Sequence, residues 1–97
     1  MIYVAFDTET YLIGAGRLAP RLVCASVHDG VRTELLARED ALERFDELLR
    51  ADVCLVMANG AFDMGVMAQA GADMTAIFDC YEAGRVWDVQ TWDVCFF

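Results

Sequence analysis

The stretch Ile2-Tyr3-Val4-Ala5-Phe6, followed at once by Asp7-Thr8-Glu9-Thr10, decides the fold. Five consecutive apolar residues rich in β-formers predict a strand buried on both faces. Asp7 and Glu9 then fall at its end, and side chains two apart on a strand share a face, so the two carboxylates converge. Two acids placed directly behind an apolar run are costly unless a cation neutralises them. The bland reading, ordinary acids at a strand end, remains open beside it.

Working outward, Val53–Met57 predicts a second buried strand, and Asn59-Gly60-Ala61-Phe62-Asp63 follows it. Residues 61–70 predict a helix stopped by Gly71, with Asp63 in its first turn. There the carboxylate either complements the helix dipole or, if the two strands are neighbours, faces Asp7 and Glu9. Between the strands, Leu22–His28 and Val31–Leu36 predict a hairpin, with Asp29-Gly30 as a type I′ turn. Residues 39–50 predict a helix whose apolar stripe is Ala41, Leu42, Phe45, Leu48 and Leu49. Tyr11–Pro20 reads as a loop. Ile77–Cys80 reads as a short strand, and Asp88 is placed to cap a final helix from Val89. This order gives an α/β fold, a mixed sheet with helices on its faces, and such sheets put chemistry at the carboxyl ends of their strands.

Composition narrows the chemistry. The chain has 97 residues, 58% of them apolar or aromatic, and its tail Trp92-Asp93-Val94-Cys95-Phe96-Phe97 suits a helix that continues. The expectation is therefore a piece of one domain rather than a whole one. Sixteen acids against seven Arg and no Lys give a formal charge of −9, which argues against a module whose whole task is gripping a phosphate backbone. It leaves metal-dependent chemistry on nucleic acid open, because hard cations take carboxylates. Cys24, Cys54, Cys80 and Cys95 have no metal-ligand or disulfide spacing and read as buried free thiols of a reducing, cytoplasmic setting. No signal peptide or membrane span is expected.

The two acidic motifs together resemble those of the DEDD superfamily of 3′–5′ exonucleases. Val4-Ala5-Phe6-Asp7-Thr8-Glu9-Thr10 is similar to its first motif, and Asn59-Gly60-Ala61-Phe62-Asp63 to its second. Tyr81-Glu82-Ala83-Gly84-Arg85-Val86-Trp87-Asp88 resembles the segment that follows in proofreading domains of family A DNA polymerases, phage ones especially. The resemblance implies a ribonuclease H-like fold and a site holding two Mg²⁺ or Mn²⁺ ions. Asp7 would bridge both ions, Glu9 would bind the one that activates water, and Asp63 the second. Thr8, Asn59 and Phe62 would contact the terminal nucleotide, although core packing is an equal reading for Phe62. The partners implied are a single-stranded DNA 3′ end and a polymerase domain C-terminal in the same parent chain, with no membrane.

The superfamily takes a fourth carboxylate from a Tyr-x-x-x-Asp or His-x-x-x-Asp motif, and none follows Asp63 here; Asp88 and Asp93 come too early and lack the Tyr or His. Residues 1–97 are thus expected to be the N-terminal part of an exonuclease domain, incomplete at its C-terminus and nearly inactive alone. Other readings stay in view: a stand-alone RNA exonuclease, a haloacid dehalogenase-like phosphatase, or a non-catalytic remnant. The phosphatase usually needs a Lys, which this chain lacks, and prefers Asp where Glu9 stands. His28 reads as a surface residue, Met57, Met64 and Met67 as core fillers. Trp87 and Trp92 read as core or interface aromatics before base-stacking ones.

Overall fold

The computed structural model describes residues 2–11 and 19–89. Its elements run β1 (Ile2–Thr10), β2 (Leu22–His28), β3 (Thr33–Ala37), α1 (Arg38–Arg50), β4 (Val53–Met57), α2 (Gly60–Ala70), α3 (Met74–Glu82) and β5 (Val86–Asp88). The described strands form one open sheet in the order β3-β2-β1-β4-β5. β1 pairs antiparallel with β2 and parallel with β4, and β4 pairs parallel with β5. This is an α/β fold with a mixed sheet, compatible with the ribonuclease H-like fold. The first strand lies at the centre, between hairpin and β4, as a long apolar strand with backbone groups to satisfy on both edges requires.

Burial along β1 alternates, which corrects the expectation of a strand buried on both faces. Val4, Phe6 and Thr8 are buried while Tyr3, Ala5, Asp7 and Glu9 are exposed. The cause lies in the helix layer. Phe6 packs on Phe45 of α1 with ring centroids 5.0 Å apart, and Thr8 meets Asp63 of α2, so both helices cover the same face. Ile77 and Cys80 of α3 join the same core.

Three further expectations change. Ile77–Cys80 is not a strand but part of α3, whose N-cap Asp73 accepts hydrogen bonds from the amides of Thr75 and Ala76; the buried pair is spaced three apart, one helical turn. The hairpin connection is not a type I′ turn. Gly30 has φ 98°, but Asp29 does not share a positive φ. Instead the Asp29 carboxylate accepts from the Val31 and Arg32 amides, an Asx-type closure that spans Asp29–Arg32 and needs only one left-handed residue. Val86–Asp88, unassigned from sequence, adds the edge strand β5. The helix expected from Val89 lies, beyond that residue, outside the described residues, as does most of the Tyr11–Pro20 loop.

Arg85 ties these layers together. Its guanidinium donates to the carbonyls of Leu49 (2.7 Å) and Ala51 (2.7 Å), acceptors that the C-terminus of α1 leaves open, and to that of Val53 at the start of β4 (3.2 Å). Its own carbonyl accepts from the Leu55 amide at 2.7 Å. α2 ends as expected at Gly71, φ 118°, where Ala72 N–H reaches Met67 O and Gly71 N–H reaches Ala68 O, a Schellman closure. No helix among the described residues is long and apolar enough to cross a membrane.

Candidate active site

The two acidic motifs meet where β1 runs out beside the start of α2. β1 and β4 are parallel with Val4 opposite Leu55 and Ala5 opposite Val56, so the carboxyl ends of both strands point the same way. From β4 the chain passes Ala58 and Asn59 and turns into α2, with Asn59 as N-cap; its Oδ1 accepts from the Phe62 amide at 3.4 Å, and its carbonyl accepts from the Asp63 amide at 3.0 Å. That first turn carries Asp63 inward. Its carboxylate is buried, 3% exposed, and Oδ1 accepts a 2.6 Å hydrogen bond from the Thr8 hydroxyl.

Thr8 sits between Asp7 and Glu9 but faces the opposite way. The three residues therefore place a hydroxyl on the covered face, against Asp63, and two carboxylates on the open face of the sheet. Asp7 is nevertheless near enough to act on Asp63. Burial first, then the charges of Asp7 and Asp88, push the Asp63 carboxyl above its ordinary range, while the Thr8 hydroxyl works against the rise. Among the described residues the charges that act on Asp63 are thus both negative. Among the described residues, no three His, Cys, Asp or Glu side chains stand close enough together to hold one metal ion.

The other expected site residues fall around this junction. Asn59 is exposed, and Phe62 is 43% exposed, so Phe62 is not the core residue that one reading allowed. His28 is on the surface and shares a hydrogen bond with Thr33. Met57, Met64 and Met67 are core, and Cys54 and Cys80 are buried free thiols, with Cys24 half-buried; Cys95 and Trp92 lie outside the described residues. Trp87 packs edge-on against Tyr3, centroids 5.8 Å apart.

Two residues at the junction were not singled out as site groups from the sequence. Asp88, at the end of β5, accepts a 2.8 Å hydrogen bond from the Gly60 amide. Tyr81, on α3, has its hydroxyl pKa raised by burial and then by the charges of Asp88, Cys80 and Asp63. No spacing in the sequence signals either, because both reach the junction through β5 and α3, which the sequence did not delimit.

A family model described as 3′–5′ exonuclease, of the DNA polymerase A type, matches residues 1–94. Neither the curated proteins nor the solved structures give a match. The matched span takes in β1, α2 and β5 together, and so the whole junction just described. The chain belongs to the DNA polymerase A type 3′–5′ exonuclease family.

Proposed function

We propose that Asp7, Glu9 and Asp63 are metal-binding carboxylates of a proofreading-type exonuclease that removes nucleotides from the 3′ end of single-stranded DNA. The observation that carries this reading is the Thr8–Asp63 hydrogen bond, which fastens the two acidic motifs to each other at one end of the central strand. The chemistry of the donors, though not their spacing among the described residues, suits a divalent cation: the atoms are carboxylate oxygens, which Mg²⁺ and Mn²⁺ prefer, and among the described residues the charges acting on buried Asp63 are the negative ones of Asp7 and Asp88. When bound, a pair of such ions supplies the charge that makes water nucleophilic and stabilises a leaving 3′ oxygen.

The chain's own residues do the rest. Asp7 and Glu9 present their carboxylates on the open face of β1, where a nucleic-acid end has access. Phe62 and Asn59 are exposed at the start of α2, where they would stack on a terminal base and hydrogen-bond it, with the Thr8 backbone as a further contact. The fourth carboxylate and the group that orients water belong to a third motif outside these 97 residues. A polymerase domain in the same parent chain fits this reading, as does a cytoplasmic replication setting.

The test is hydrolysis of 3′-labelled single-stranded DNA with Mg²⁺ or Mn²⁺, using the chain alone and a form extended to include a third motif. We expect 3′ nucleotide release from the extended form, abolished by Asp7→Ala and by chelation. Unchanged release from Asp7→Ala would overturn the carboxylate assignment, and preference for an RNA end would move the substrate to RNA.

A further inference from the structure

We propose that Asp88 is a positioning residue for the second acidic motif, holding the first turn of α2 in place through the Gly60 amide. β5 pairs with β4 so that Asp88 stands opposite Met57, the last residue of β4. Three residues further along the chain from Met57, at Gly60, α2 begins. The parallel register thus delivers the Asp88 carboxylate sideways onto the helix start, where Oδ2 accepts from Gly60 N–H at 2.8 Å.

The fit at this point is close. A Cβ built on Gly60 would lie 3.1 Å from Asp88 Oδ2 and 3.5 Å from its Cβ and Cγ, and Gly60 is itself buried. The carboxylate therefore occupies the space a side chain at position 60 would take. Gly60 N–H is one of the amides a helix leaves unpartnered at its N-terminus, and Asn59 attends to another, its side chain accepting from Phe62, while its carbonyl takes the first intrahelical bond, from Asp63. Asp88 and Asn59 divide the task, and the turn they fix contains the motif from Asn59 to Asp63. Asp88 touches no reacting group in this assignment; it acts through the helix start, as outer groups act on metal ligands.

The consequence for metal binding rests on the exonuclease reading, but the hold on Gly60 does not, and the experiment separates them. Amide exchange at Gly60 and Asp63 is measured by NMR in Asp88→Ala and Asp88→Asn of the full 97-residue chain, and Mn²⁺ affinity is titrated on the same samples. Asn keeps a carbonyl oxygen able to accept from Gly60, while Ala removes it. We expect Gly60 and Asp63 amides to exchange at least about 10-fold faster in Asp88→Ala and near the wild-type rate in Asp88→Asn, with Mn²⁺ affinity falling about 10-fold in the Ala variant alone. Unchanged exchange in Asp88→Ala would overturn the proposal. So would equal loss of Mn²⁺ affinity in both variants, because that outcome makes the charge of Asp88, not its acceptor oxygen, the working feature. If the wild type binds no Mn²⁺, the exonuclease reading fails while the exchange measurement still decides the hold on Gly60.

Discussion

The hydroxyl of Thr8 and the carboxylate of Asp63, 55 residues apart in the chain, are joined by a 2.6 Å hydrogen bond in a buried setting. Replacing Thr8 by Val keeps the shape and removes the donor, leaving a buried carboxylate short of a partner. The expected loss is about 1–3 kcal/mol of stability, read by urea unfolding in the presence of a chelator. Thr8→Ser should recover most of it; an equally destabilised Ser variant would mean that packing of the Thr methyl, not the hydrogen bond, matters.

The raised pKa of Asp63 has a definite sign in pH-dependent stability. Its ordinary value is 3.8 and the folded value lies above it. Between the two the native state holds more proton than the unfolded chain, so stability from this group falls as pH rises through that window. Asp63→Asn removes the titration and keeps an acceptor for Thr8. The melting temperature of the variant relative to wild type, both without metal, should therefore increase as pH rises from below 3.8 through that window. A relative decrease would show that the fold favours the charged carboxylate.

Arg85 offers a test of the scaffold independent of the acids. Its fork satisfies three backbone carbonyls at the α1–β4 connection. Arg85→Met should destabilise by about 2–4 kcal/mol, given the strength of charge-assisted bonds and the buried acceptors left behind. Arg85→Lys should restore only part, since an ammonium cannot match a planar fork. Denaturant midpoints of the three proteins decide it.

Gly65 lies inside α2, and among the described residues a Cβ there would meet the Ala19 Cβ at 4.0 Å, an ordinary van der Waals contact. Gly65→Ala should therefore stabilise the protein by about 0.5–1 kcal/mol through backbone entropy. A lower thermal midpoint for the variant would show that the helix packs more tightly there than its geometry implies.

Much of the fold was legible because its strongest signals are local. Leu22–His28 and Val53–Met57 carry uninterrupted β-rich runs, the stripe of α1 repeats at helical spacing, and Gly71 marks the end of α2. The unread parts depend on tertiary placement. A short apolar run such as Ile77–Cys80 suits strand or helix, and the choice falls to Asp73, whose capping role shows only once the helix exists. For β1, an all-apolar run does not tell one covered face from two. At the junction, the pattern Asp7-x-Glu9 put both acids on one face, but it did not reveal that Thr8 would take the hydrogen bond to Asp63 from the other. Asp88 was noticed as a helix cap, as a rejected fourth ligand and as the end of the segment from Tyr81, but not as a partner of Gly60, because that partnership depends on the register of an unforeseen edge strand.

The pairing of β1 with β4 has a consequence for how freely this protein can change. Ile2 to Ala5 align with Val53 to Val56, so the spacing between the two acidic motifs is fixed by adjacent strands and not by the length of chain that separates them. The hairpin tip at Asp29–Arg32 lies on that excursion, closed by its own side-chain bonds and exposed. Lengthening it adds only a slowly growing entropic term and leaves the alignment untouched. Insertions at the tip should thus be accommodated by evolution or by an engineer grafting a new loop, whereas one residue added within β1 would exchange the directions of Thr8 and its acidic neighbours.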